Sequence, residues 1–155
     1  MRTLFLLLPL LAITSLPAHA QKGDWPVGSG RYMVEHHDDN ANYFGELLEK
    51  RHRELVALVD HITQGGDPYL IDTLNKQHTE WKKYKSNDCA LIGALEPAIG
   101  LARIVTQSRC ESNLVDRRFR SVSHAVACIK AIPESTRSAE MSRCLYQLSP
   151  LTTGK

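Results

Sequence analysis

The local cluster His36-His37-Asp38-Asp39 brings together side chains that can bind a metal ion. Imidazole and carboxylate groups are common metal ligands, so His36 and His37 are the candidate ligands of this chain. Paired histidine ligands on a helix usually lie four residues apart, and the sequence contains no such pair. The structural alternative is that Asp38 and Asp39 favour the N-terminus of a following helix. We expect this structural role, and therefore no bound metal and no cofactor.

The patterns that mark catalytic sites are missing from the sequence. There is no Gly-x-Ser-x-Gly motif, and Gly28-Ser29-Gly30 is too short for a phosphate-binding loop, so we predict a flexible tripeptide there. Glu46 and Glu49 each have a cationic residue four positions later, Lys50 and Arg53. This spacing is typical of a solvated helix face rather than of a catalytic carboxylate pair. We predict that the protein is not an enzyme.

The composition favours one ordinary globular domain. The chain has 155 residues, 43% hydrophobic and 23% charged, with a formal net charge of +2. These values exclude a disordered or collagen-like chain. Basic clusters occur at 82–85 and 117–120, but a nucleic-acid binder would need them to converge on one face. We expect both clusters on solvated helix surfaces and predict no nucleic-acid partner.

The first twenty residues have the three regions of a secretory signal peptide. Arg2 supplies a positive charge, residues 4–12 are apolar, and Ala18-His19-Ala20 fits the small-x-small cleavage pattern. The apolar run is shorter than the roughly 20 residues that span a membrane, so we expect cleavage near Ala20 and no membrane anchor. The sequence thus predicts a periplasmic or secreted protein.

Apolar residues recur at three- and four-residue steps after residue 38, which predicts an all-α fold of three long helices and one short C-terminal helix. Residues 21–38 lack this periodicity and are predicted to be irregular. Asp39 or Asn40 is the expected cap of the first helix. Gly65-Gly66 would end it, and Asp67-Pro68 would begin the second. The predicted boundaries are 39–64, 67 to a turn near Cys89, 97–131 and 134–148.

The four cysteines allow three disulfide pairings. If residues 97–131 form one helix, Cys110 and Cys128 lie about 27 Å apart at 1.5 Å per residue. A disulfide needs Cα atoms within about 7 Å, so this pairing is excluded. Of the two that remain, Cys89–Cys110 with Cys128–Cys144 is the more local.

The second helix carries a familiar set of residues, Leu74, Trp81, Tyr84-Lys85 and Cys89, followed later by Cys110 and Arg117. This pattern resembles that of the LprI-like lysozyme inhibitors, a family of small exported domains, over about residues 48–120. The family's usual Gln three positions before the Trp is replaced by His78, with Gln77 one place earlier. His78 lies on the apolar stripe, where we expect a hydrogen-bonded packing role, and Trp81 is expected mainly in the core. Residues 39–149 would form the LprI-like domain, with Cys128 and Cys144 in a C-terminal extension.

The resemblance implies a non-enzymatic binding protein that protects peptidoglycan by occluding the cleft of a lysozyme or another muramidase. A first alternative is a periplasmic immunity or envelope-stress protein that binds another toxin or envelope protein. A second is a metal-binding module that uses His36, His37 and the nearby aspartates.

Overall fold

The computed structural model describes residues 25–149, which form an all-α fold with no strand in that range. Three long helices are followed by a short one, as the periodicity predicts. A short 3-10 turn, Tyr146–Leu148, closes the described chain. The helices are α1 (Gly30–Thr63), α2 (Pro68–Leu95), α3 (Leu101–Ala131) and α4 (Arg137–Leu145). The predicted signal peptide lies outside the described residues.

Helix α1 begins well before the predicted start at residue 39. Ser29 is its N-cap, and the Ser29 hydroxyl accepts a 3.3 Å hydrogen bond from the Tyr32 backbone N–H. The irregular segment predicted for 21–38 is therefore wrong from residue 30 onward, and Gly28-Ser29-Gly30 is a capping segment rather than a flexible tripeptide. The apolar periodicity that predicted α1 is missing from its first turns, where side chains such as Arg31 and His36 are exposed to solvent. The sequence pattern therefore did not reveal this part of the helix.

The connection between α1 and α2 follows the sequence signals closely. Gln64 and Gly65 both adopt positive φ, 53° and 71°, and this left-handed backbone ends α1. The Asp67 carboxylate then accepts a 2.9 Å hydrogen bond from the Leu70 backbone N–H, with Pro68 at the first helical position.

Helix α2 continues past Cys89 to Leu95, so the predicted turn near Cys89 is wrong. Ser86 and Asn87, which suggested the turn, are exposed residues within the helix. Helix α3 starts at Leu101 rather than at Pro97, after Gly100 with a φ of 72°. Residues 96–100 therefore form a tight connection between two long helices.

Helices α1 and α3 run in the same direction, with α2 antiparallel to both. A Cβ at Gly30 would lie 2.6 Å from Cδ2 of Leu101, which places the starts of α1 and α3 together. Further along, Lys130 Nζ of α3 lies 2.6 Å from the Glu54 carboxylate of α1. α1 packs much more extensively on α3 than on α2. The fully buried side chains between these helices include Leu55, Val59, Val122 and Ile129.

Two disulfides tie the helices together, and they are the predicted local pair. Cys89–Cys110 joins α2 to α3 with a Cα separation of 5.5 Å, and Cys128–Cys144 joins α3 to α4 at 5.7 Å. Disulfides persist in oxidising compartments, so they are compatible with export. Within residues 25–149, the helices are all too short or too polar to cross a membrane.

Candidate functional site

The residues that carry the family resemblance mostly build the scaffold. Leu74 is buried, and Trp81 is half-buried against the core, as predicted for a core residue. Lys85 Nζ forms a 2.6 Å ion pair with the Glu111 carboxylate of α3, one turn from the Cys89–Cys110 disulfide. Only Tyr84 and Arg117 lie exposed to solvent.

A buried histidine pair lies where α1 faces α2. The rings of His52 and His78 stack with centroids 4.0 Å apart and planes 10° apart. His52 Nε2 donates to Asn75 Oδ1 at 3.1 Å, and His78 Nε2 donates to Glu49 Oε1 at 3.0 Å. His78 thus has the hydrogen-bonded packing role that its place on the apolar stripe predicts. We call His52 and His78 the histidine pair.

The surroundings of the histidine pair favour neutral imidazoles. Burial lowers the pKa of His52, and the neighbouring His78 lowers it further. Burial also lowers the pKa of His78, although its hydrogen bond to Glu49 opposes this shift. Burial on its own would raise the pKa of Glu49, but hydrogen bonds from His78 and Lys82 lower it below the usual value.

Glu49 does not act as the predicted partner of Arg53 on a solvated face. Its carboxylate accepts from His78 and lies 3.0 Å from Lys82 Nζ, so it joins α1 to α2. The i,i+4 rule describes an isolated helix, whereas this carboxylate is only half exposed and meets a second helix.

Arg118 is a buried member of a cluster predicted to lie on the surface. Only 8% of the residue is exposed. One guanidinium nitrogen donates to the Leu148 carbonyl at 2.8 Å and another donates to Gln77 Oε1. The guanidinium carbon lies 5.7 Å from the centroid of the Trp81 ring, a cation–π distance. Burial lowers the pKa of Arg118 to about 10.

Within the basic cluster 117–120, the surface prediction is wrong for Arg118, whereas Arg117 and Arg120 are exposed as predicted. The contact with Arg118 also gives Gln77 a structural role. Gln77 Nε2 also donates to the Leu148 carbonyl, at 3.1 Å, so α2, α3 and the C-terminal turn meet at these groups. A sequence signal existed: Arg118 follows Val115 by three residues and precedes Val122 by four, which puts it on the apolar stripe of α3. These contacts stabilise the fold and offer no nucleophile.

His36 and His37 stay close to each other but do not join a larger set of ligands. Their ring centroids are 5.8 Å apart, and Asn40 Nδ2 lies 3.3 Å from His36 Nε2. Among residues 25–149, the structure forms no group of three or more His, Cys, Asp or Glu side chains that could hold a metal ion.

The connection from α2 to α3 presents an exposed apolar surface. Leu95 is 71% exposed and Ile99 is 81% exposed, at the end of the molecule where α3 begins. Residues 90–105 contain only two charged side chains, Glu96 and Arg103. We call this surface the hairpin tip, and its exposed members are Leu91, Ile92, Leu95, Ile99, Leu101 and Ile104.

Several contacts hold the hairpin tip in one conformation. The backbone of Gly93 lies so close to α3 that a Cβ would be 3.0 Å from the Arg103 carbonyl oxygen. The Thr106 hydroxyl donates to the Glu96 carboxylate at 3.1 Å, and Arg103 Nε donates to the Ala98 carbonyl at 3.3 Å. Both charged side chains are thereby occupied within the hairpin, and the Cys89–Cys110 disulfide fixes its base.

Covering the hairpin tip would remove a substantial amount of apolar surface from water. Its six aliphatic side chains are on average somewhat more than half exposed. Because full burial of such a side chain is worth about 1.5–3 kcal/mol, covering all six would contribute roughly 5–10 kcal/mol before the costs of association. Contiguous exposed apolar surface on soluble proteins usually marks an interaction site. Sequence reasoning missed this surface, although the low charge of residues 90–105 was a usable signal.

A polar groove lies at the opposite end of the bundle, between the end of α1 and the start of α4. It has a volume of about 840 Å³ and is lined by mixed charges that include Asp60, His61, Glu134 and Arg137. Arg137 Nε donates to the Ile132 carbonyl, so the Arg137 side chain has a structural role in this groove.

Comparison with known proteins gives no relative: no family model, curated protein or solved structure matches the chain. The LprI-like resemblance therefore stays a prediction.

Proposed function

We propose that this protein is an exported, non-enzymatic binding protein that inserts its hairpin tip into an apolar cleft of a partner protein. The observation that carries the proposal is the hairpin tip itself, in which exposed aliphatic side chains sit on a hairpin fixed by a disulfide. A convex apolar surface of this kind fits a concave partner.

The disulfide adds to this function because a fixed hairpin loses little conformational freedom on binding. Ordering a flexible side chain at an interface costs about 0.5–1.5 kcal/mol, and loop ordering adds to this cost. The Cys89–Cys110 bridge and the Lys85–Glu111 ion pair hold the hairpin before the partner arrives. Less of the free energy gained by burying apolar surface is then offset by the entropy cost of ordering the hairpin, so the affinity is higher.

The partner that we propose is a lysozyme or another muramidase, whose cleft the hairpin tip would occlude so that peptidoglycan is protected. Support for this partner comes from the LprI-like pattern of Leu74, Trp81 and Lys85. Leu74 and Trp81 pack in the core, and Lys85 joins the base of the hairpin to Glu111 of α3. The predicted signal peptide and the two disulfides support release into the periplasm or the medium, where a lysozyme would be met.

The test is a turbidity assay of peptidoglycan lysis with several lysozyme types and the oxidised protein. We expect slower lysis with the native protein and unchanged lysis with Leu95→Asp/Ile99→Asp, which places two charges on the hairpin tip. Tyr69→Asp is the matched control because Tyr69 is equally exposed but lies at the start of α2. It should inhibit like the native protein.

Unchanged lysis at a large molar excess of native protein would reject the muramidase as partner. Inhibition by the native protein that survives in Leu95→Asp/Ile99→Asp would reject the hairpin tip as the binding surface. Binding of the native protein to phospholipid vesicles, lost in the same variant, would assign the hairpin tip to a lipid surface instead.

A further inference from the structure

The histidine pair leaves two buried nitrogen atoms without partners. Because Nε2 of each ring faces an oxygen acceptor, Nε2 carries the proton in both neutral imidazoles. Nδ1 of each ring is therefore an unprotonated nitrogen, and neither Nδ1 has a hydrogen-bond partner among the described residues. His52 is 6% exposed and His78 is 3% exposed, so solvent barely reaches either ring.

Protonation of either ring would place an N–H donor on a buried atom that has no acceptor. Protonation of both would place two positive charges in stacked rings 4.0 Å apart. The charged groups that act on the pair are Glu49 from α1, Lys82 from α2 and Arg118 from α3. The only anion among them, Glu49, already neutralises Lys82, so two imidazolium ions would meet a surplus of positive charge.

We propose that His52 and His78 form an acid-sensitive contact between α1 and α2, which releases the N-terminal half of α2 from α1 when the pH falls. This role lies beyond the proposed binding function and does not depend on it. The hydrogen bonds of Asn75 and Glu49 to the two rings cross between these helices. When both histidines are protonated, their repulsion therefore acts on the same surfaces that the neutral pair holds together.

The opening is confined to one part of α2 because the other part is tied down. Residues 86–95 stay on α3 through the Cys89–Cys110 disulfide and the close contact of Gly93. Residues 68–82 have no covalent tie to α1 or α3, and their contacts to α3, such as those of Gln77 and Trp81 with Arg118, are non-covalent. The hinge therefore lies between these two parts, and the hairpin tip keeps its conformation.

The direction of the pH effect follows from burial. Both histidines have a lower pKa in the fold than the ordinary value of 6.5, so the unfolded chain binds their protons more readily. Their contribution to the free energy of unfolding is complete above pH 6.5. It is lost as the pH falls below 6.5 through the lower pKa values that the two histidines have in the fold. Each histidine changes the unfolding equilibrium by up to about ten-fold per pH unit in that window, and the pair by up to about a hundred-fold.

The experiment compares urea unfolding and amide hydrogen exchange of the oxidised protein between pH 7.5 and pH 5. We expect the equilibrium constant for unfolding to rise as the pH drops below 6.5. After correction for the intrinsic effect of pH, exchange should accelerate more in residues 68–82 than in residues 86–95. His52→Gln/His78→Gln keeps a donor near each Nε2 position and should lose this pH dependence. His61→Gln is the matched control because His61 is exposed on α1.

A native protein whose stability is constant from pH 7.5 to 5 would overturn the proposal, as would a double variant that keeps the full pH dependence. Equal acceleration of exchange in both halves of α2 would also overturn it. If the double variant does not fold, imidazole NMR titration of the native protein decides, because both rings must titrate below pH 6.5. Titration of either ring at or above that value contradicts the proposal.

Discussion

Loss of the Cys89–Cys110 disulfide should loosen the hairpin tip specifically, rather than weaken the whole fold evenly. Beyond His78, the only buried residues of α2 are Cys89 and Gly93, so the second half of this helix has little apolar core of its own. The disulfide is its main attachment to α3. The double substitution Cys89→Ala/Cys110→Ala removes the bridge without burying a hydroxyl group.

The second disulfide supplies a control of almost equal size. The bridges span 21 and 16 residues of sequence. In the chain-entropy model these spans correspond to about 3.3 kcal/mol for Cys89–Cys110 and about 3.1 kcal/mol for Cys128–Cys144. The two double variants should therefore lose nearly the same global stability, and only the location of the loosened structure should differ.

Urea unfolding measures the loss of stability, and amide hydrogen exchange locates it. For Cys89→Ala/Cys110→Ala we expect exchange in 86–95 to accelerate by about two-hundred-fold, since the loss of about 3.3 kcal/mol corresponds to about ten-fold for every 1.4 kcal/mol. Cys128→Ala/Cys144→Ala should instead accelerate exchange in α4. A loss below about 1 kcal/mol for the first variant, or the same exchange pattern in both, would refute the argument that this bridge fixes the hairpin.

Three further substitutions test the packing. Arg118→Met should destabilise the fold by about 2–3 kcal/mol in urea unfolding. The loss of charge-assisted hydrogen bonds destabilises, and the removal of a buried charge offsets part of this loss. The exposed control Arg117→Met should change the stability by no more than about 0.5 kcal/mol. Gly93→Ala should destabilise by about 1 kcal/mol because its Cβ meets the Arg103 carbonyl, but Gly45→Ala, which has open space, should stabilise by about 0.5–1 kcal/mol. Asp67→Ala should cost about 1 kcal/mol as the α2 cap is lost; an unchanged urea midpoint would contradict this role.

The features that local rules control were predictable from the sequence. The 3.6-residue period marked the three long helices and the short one, and Asp67-Pro68 marked the start of α2. Helix length excluded the Cys110–Cys128 pairing, and the structure forms the more local of the two pairings that remained. His78 was placed correctly as a hydrogen-bonded packing residue because it occupies an apolar position.

The features that depend on neighbouring helices were not predictable by the same rules. Glu49 has a cation four residues later in the sequence, yet it pairs across the interface with His78 and Lys82. Arg118 was assigned to the surface by its charge, although the Leu148 carbonyl and Gln77 satisfy it in the interior. Periodicity also cannot show that the apolar residues around Leu95 lack a partner helix, because the same pattern serves a core and an exposed binding surface.

The central proposal is that the hairpin tip binds in the cleft of a lysozyme or another muramidase, and titration calorimetry at several temperatures tests it most directly. We expect saturable binding of the oxidised protein with a negative heat-capacity change, because burial of apolar surface has this sign. Both the binding and the heat-capacity change should be lost in Leu95→Asp/Ile99→Asp and kept in Tyr69→Asp. An absence of binding by the native protein, or equal binding by Leu95→Asp/Ile99→Asp, would contradict the claim.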